Sequence, residues 1–152
     1  MIAGSSLEAV SAKAGALNRP HPSPDDRWLA FRNNPPEELS GKSFVVPLRP
    51  GQPIAAESLA AIEDRVGSGR PAGWSLDSRT VYLLLDTDGF RCLWGQRIDA
   101  SGRLDGTPTP VRHFHSADWA ALSTSFGNPI TVDGFMYATM KSRGNIWSLM
   151  RR

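Results

Sequence analysis

Cysteine is almost missing from this chain. A single residue, Cys92, cannot close an internal disulfide, and alone it carries no information about compartment. Long apolar runs are missing too. The longest are Val81-Tyr82-Leu83-Leu84-Leu85 and Phe44-Val45-Val46. Both fall far short of the ~20 residues that cross a bilayer as a helix, which excludes a transmembrane helix. Met1 to Ser6 has no basic stretch and no apolar stretch, so no signal peptide is expected. An excess of one charge is also lacking. Lys plus Arg number 17 and Asp plus Glu number 15, a net charge of +2 that is too small to argue for nucleic acid.

What is present fits one domain of ordinary size, with 152 residues and a 40% hydrophobic fraction that can supply a core. The 14 Gly and 12 Pro suit a chain with many turns, and 5 Trp is a high count for this length. Together these features predict a turn-rich β protein with aromatic anchors.

The chain repeats itself. Ser23-Pro24-Asp25-Asp26-Arg27-Trp28-Leu29-Ala30-Phe31 precedes the apolar stretch Phe44-Val45-Val46-Pro47-Leu48. Ser75-Leu76-Asp77-Ser78-Arg79-Thr80-Val81-Tyr82-Leu83 precedes Cys92-Leu93-Trp94-Gly95-Gln96-Arg97-Ile98. Ser23 and Ser75, Asp25 and Asp77, and Arg27 and Arg79 share one offset of 52 residues. A third, shorter copy reads Thr131-Val132-Asp133-Gly134, then Phe135-Met136-Tyr137-Ala138, then Gly144-Asn145-Ile146-Trp147-Ser148-Leu149. Each copy holds a Ser/Thr-x-Asp turn, an apolar strand, a polar turn and a second apolar strand.

The side chains of each part favour strands. Ser and Asp bond nearby backbone N–H groups and close tight turns, so Asp25 and Asp77 are expected to be structural. Trp28 and Ala30, and Val81, Leu83 and Leu85, recur at a spacing of two. Asp86-Thr87-Asp88-Gly89 ends in Asp-Gly, the mark of a type I′ hairpin, because both residues accept positive φ. Asn33-Asn34-Pro35-Pro36 and Lys141-Ser142-Arg143-Gly144 stand in the same place in the other copies. Pro20, Pro22 and Pro24 forbid a helix across the first turn region. Ala55 to Ile62 and Ala117 to Leu122 read equally well as short helices or edge strands.

Ser-Pro-Asp-Asp-Arg-Trp-Leu-Ala-Phe resembles the repeat signature of TolB-type, WD-like β-propellers, whose blades read Ser-Pro-Asp-Gly-Arg-x-Ile-Ala-Phe. Trp74-Ser75-Leu76-Asp77-Ser78-Arg79 and Asp86-Thr87-Asp88-Gly89-Phe90 resemble a second blade, although Leu76 and Ser78 replace the usual Pro and Gly. Gly144-Asn145-Ile146-Trp147 resembles the last inner strand of a terminal blade. The resemblance implies an all-β fold, an incomplete propeller of about three four-stranded antiparallel blades. Residues 1–18 would hold a remnant strand of a preceding blade (Leu7 to Val10) and a frayed end. Residues 19–152 would hold the blades, at about 19–62, 70–115 and 126–152. Trp94 and Trp147 would be buried at matching places. Leu7 and Val10 at one end, and Phe135, Tyr137 and Ile146 at the other, would form open apolar faces.

The function implied is non-catalytic binding of another protein, or of a second copy that completes the ring. Neither nucleic acid nor membrane insertion is implied. As an alternative, the chain would be the C-terminal part of a larger propeller, serving as sensor or accessory region of a bacterial serine/threonine kinase or peptidase. A small-molecule or metal binder ranks behind both. Family members are often periplasmic, so export as part of a longer chain would place it there.

Candidate chemistry is thin. His113-Phe114-His115 places two imidazoles on one face of a strand, where neutral rings can hold Zn or Cu. A site needs three or four ligands and only two are in view, so two surface histidines on an outer strand is the stronger reading. Asp86-Thr87-Asp88-Gly89 begins like a calcium loop, but Leu93 and Trp94 fall where later ligands belong. Ser5, Ser75, Ser123 and Cys92 lack a nucleophile elbow, and Cys92 reads as an inert buried thiol. The five Trp residues read as packing between blades rather than as a base-stacking platform. Lys141, Arg143, Arg151 and Arg152 read as a solvated basic end. No catalytic, cofactor-binding or metal residue is therefore assigned from sequence, and no cofactor is expected.

Overall fold

The two Ser-x-Asp turns organise the architecture. In the first, Ser23 Oγ donates to Asp25 Oδ1 at 2.6 Å and accepts the Trp28 N–H at 3.0 Å. Asp25 Oδ1 also accepts the Arg27 N–H at 3.2 Å. In the second, Ser75 Oγ donates to Asp77 Oδ1 at 2.5 Å and accepts the Thr80 N–H at 2.9 Å, while Asp77 Oδ1 accepts the Arg79 N–H at 3.1 Å. Backbone bonds repeat in step, with the Ser23 N–H on the Trp28 carbonyl and the Ser75 N–H on the Thr80 carbonyl, both at 2.8 Å. Asp26 (φ 56°) and Ser78 (φ 58°) both sit in the left-handed region that closes the turn. Asp25 and Asp77 are thus structural, as their spacing predicts.

This computed structural model describes residues 16–34, 41–49, 60–61, 69–86, 89–115, 119–121, 130–131, 134–135 and 139–141. Among them the chain is all-β, with no helix. Strands β1 (Ala16–Pro22), β2 (Trp28–Asn34), β3 (Lys42–Pro47) and β4 (Ala60–Ala61) form one antiparallel four-stranded sheet in sequence order. Strands β5 (Arg70–Trp74), β6 (Thr80–Asp86), β7 (Arg91–Ile98) and β8 (Leu104–Arg112) form a second. The first strand of each sheet carries an irregularity at the matching place, between Asn18 and His21 in β1 and between Pro71 and Gly73 in β5. The repeat read in the sequence is a repeat in three dimensions.

The sheets stack through a shared core. Trp28, Ala30 and Val45 from the first sheet meet Trp74, Val81, Leu83, Leu85 and Ile98 from the second. Burial of each large side chain contributes about 1.5–3 kcal/mol. Polar stitches cross the seam. Trp74 is fully buried, and its indole N–H donates to the His21 carbonyl at 2.8 Å. Ser78 Oγ accepts the Asp25 N–H at 3.1 Å. The Gly69 carbonyl accepts from Ser43 Oγ at 2.8 Å and from the buried Arg32 guanidinium.

The turn between β7 and β8 also reaches the seam. Asp99 Oδ1 accepts N–H groups from Ser101 and Arg103, at 2.8 and 2.9 Å. Gly102 in that turn has φ +81°, and a Cβ there would lie 2.1 Å from the Trp28 ring. Only glycine fits under the tryptophan.

Each sheet also buries apolar side chains on its other face. Leu29, Phe31 and Val46 pack with Phe44 and Leu48 behind the first sheet. Ala72, Leu84 and Leu93 pack with Tyr82 and Phe114 behind the second. The outer strand β8 carries Pro108 and Pro110, which cannot donate to a further strand.

Several expectations need correction. Two four-stranded sheets form, whereas the third expected sheet is represented among the described residues by two separate ladders. Strand β9 (Trp119–Ala121) pairs with β12 (Thr139–Lys141), and β10 (Ile130–Thr131) pairs with β11 (Gly134–Phe135). Thr131 and Gly134, three positions apart, are ladder partners, whereas Ser23 and Ser75 bond the backbone five positions on, so the third Ser/Thr-x-Asp segment does not copy the first two turns. The third region reaches back to Trp119, ahead of the expected residue 126, because Trp119 pairs with Lys141. Ala16–Asn18 belong to β1, pairing with Arg32–Asn34, so the first sheet starts ahead of the expected residue 19. Asp86 pairs with Arg91, which leaves a four-residue connection over 87–90 with Gly89 at φ +83°, wider than a type I′ turn. Of the two readings left open for Ala55 to Ile62, the edge strand is the one met at Ala60 and Ala61. Leu7, Val10, Tyr137, Ile146 and Trp147 lie outside the described residues.

Candidate functional site

One cluster of chemistry-bearing side chains forms where β7 and β8 meet. Leu93 pairs with Arg112, and one further step of that antiparallel register sets Cys92 opposite His113. The ladder shifts register between Leu93 and Trp94, a bulge beside the cluster. Past the end of β8 the chain turns back over β7, and the Phe114 N–H donates to Cys92 Sγ at 3.5 Å. His113 Nδ1 and His115 Nε2 then stand 3.3 Å apart. The ligand atoms of Cys92, His113 and His115 all lie within 4.8 Å of one another.

Burial divides the cluster. Cys92 is fully buried, whereas both imidazoles are exposed. Aromatic neighbours hold the rings. His113 stands edge-on to Trp94 with centroids 6.0 Å apart, and His115 lies against Phe90 at 5.1 Å. Trp94 itself is half-buried against the seam core.

Reading the sequence found the histidine pair but treated Cys92 separately, as an inert thiol. The signal that joins them is hairpin register: two strands of known pairing bring residues 21 positions apart side by side. That register depends on a bulge, which the residue pattern does not announce.

The other candidates have structural partners. Asp86 accepts from Arg91 Nε and Nη2 at 3.0 and 3.1 Å, so its carboxylate is engaged by a guanidinium. Ser75 Oγ is committed to its turn. Trp28 and Trp74 are buried in the seam and cannot stack on bases. Lys141 is exposed on β12. Ser5, Ser123, Arg143, Arg151 and Arg152 lie outside the described residues.

Three carboxylates, all in turns, sit below the ordinary value of 3.8. For Asp25, burial pushes the pKa up, but bonds from Ser23, the Arg27 N–H and Ser78 more than offset it. For Asp77 the Ser75 hydroxyl is the main cause, followed by the Arg79 N–H. For Asp99 it is the Ser101 hydroxyl, followed by the Arg103 N–H. Each carboxylate is acting as a turn fastener.

No family model matches this chain, and no curated protein matches it.

Proposed function

We propose that the chain is a non-catalytic module for protein–protein association, built from TolB-like four-stranded units. The observation that carries the reading is the two-faced burial of each sheet. In β6, Val81, Leu83 and Leu85 face the seam while Leu84 is buried on the opposite side. The units of repeat arrays bury their faces against like neighbours in this way. Within this chain both faces are already covered, and the large hydrophobics left exposed for a partner among the described residues are Leu76, Val111 and Met140. A second copy of the same unit, or another protein with an apolar surface, is the partner that those exposed side chains fit.

The rigid turns fit this role. Ser-x-Asp fasteners hold a loop in a fixed shape at the matching place in each unit, and the Asp99 turn holds another in the second. Fixed loops and stacked sheets suit recognition of a protein surface, and this reading includes no catalytic role.

Sedimentation equilibrium of the pure chain from sub-micromolar to tens of micromolar tests the reading. It should show reversible association to a dimer or larger species. A single monomeric species throughout, with no binding of an apolar dye, would remove it.

A further inference from the structure

We propose that Cys92, His113 and His115 form a three-ligand site for Zn2+. The argument starts from spacing. Two Zn–N bonds of about 2.0–2.1 Å at a tetrahedral angle set the nitrogens roughly 3.3 Å apart. The His113 Nδ1 to His115 Nε2 separation is 3.3 Å. One Zn–N and one Zn–S bond set N and S roughly 3.6 Å apart. The three ligand atoms lie within 4.8 Å, so closing on a metal takes about one ångström of movement by exposed imidazoles.

The surroundings fix the sulfur. The Phe114 N–H donates to Cys92 Sγ at 3.5 Å and holds it beside the two rings. Trp94 and Phe90 restrict the two rings, which limits the entropy lost on ligation. A direct imidazole–imidazole hydrogen bond also accounts for the 3.3 Å contact, and a sulfur-to-metal band separates the two readings.

The donor set narrows the ion. One thiolate and two imidazoles are wrong for Mg2+ and Ca2+, which take oxygen, and suit Zn2+, with copper as the competitor that the test must separate from it. Three protein ligands leave the fourth position on the exposed side, beside His113 and His115. Water completes the coordination there.

The test uses the full chain, reduced and freed of metal with a chelator, and titrated with Co2+ and then Zn2+. One equivalent of Co2+ should produce a thiolate-to-metal charge-transfer band, and Zn2+ should bleach it stoichiometrically. Zn2+ should also raise the thermal midpoint. His115→Ala, at an exposed position, should keep the metal-free midpoint and weaken Zn2+ binding about tenfold or more. His113→Ala should do the same, and Cys92→Ala should abolish the charge-transfer band. Should Cys92→Ala not fold, the two histidine variants decide the matter. The assignment falls if Co2+ binds without a sulfur band, if Cu2+ binds but Zn2+ does not, or if both histidine variants bind Zn2+ as the parent does.

Discussion

Asp25 and Asp77 show what a single side chain does in this fold. Each accepts a backbone N–H two residues on and the hydroxyl of the serine two residues back. Asp25→Ala or Asp77→Ala should lower stability by about 0.5–2 kcal/mol, by analogy with lost helix caps, as read by urea unfolding. The pH dependence follows from the direction of the shifts. Both carboxylates are lowered in the folded state from 3.8, so their stabilisation is present above that value. It is lost as pH falls through the lower folded values, and the variant lacking both carboxylates should show a shallower loss in acid. These aspartates were legible from the sequence because Asx bonding is local. Cys92 as a neighbour of His113 and His115 was not, because the contact is made across a bulged ladder. The Asp99 turn is not legible in the repeat either. Its Asp-x-Ser order reverses the Ser-x-Asp pattern that drew attention to the other two.

Strands and turns form the next scale. The alternation in Trp28 and Ala30 and in Val81, Leu83 and Leu85 identified the faces that meet in the seam. What the pattern left out was how far each ladder runs. Asp86 pairs with Arg91 through an ion pair, and this sets a wider connection than the Asp-Gly dipeptide implies. The tight approach of the β7–β8 turn to Trp28 was equally invisible, since it joins residues of different sheets. It carries a prediction. Gly102→Ala should lower stability by about 1–3 kcal/mol, because a methyl group displaces the Trp28 ring and φ is positive there. Gly106→Ala is the control, with φ +72° but open space around it, and should cost less. Differential scanning calorimetry of the pair separates the clash from the backbone strain.

At the scale of the molecule, the repeat at 52 residues foretold two matching sheets, and both formed. For the shorter third copy the described residues show two separate ladders, and Thr131 pairs directly with Gly134. The association proposed above depends on sheets that are stable only against neighbours. Trp74 is the test of that dependence, being buried in the second sheet while its indole bonds the first. The most direct measurement is native-state hydrogen exchange on the parent chain and on Trp74→Phe, which removes that bond at a cost of about 1–3 kcal/mol. The account predicts that amides of β2 and β3 and those of β6 and β7 open with one shared free energy, and that the substitution lowers protection in both sheets together. Faster exchange confined to β5–β8, with β1–β4 unchanged, would mean that the sheets fold independently and would contradict it.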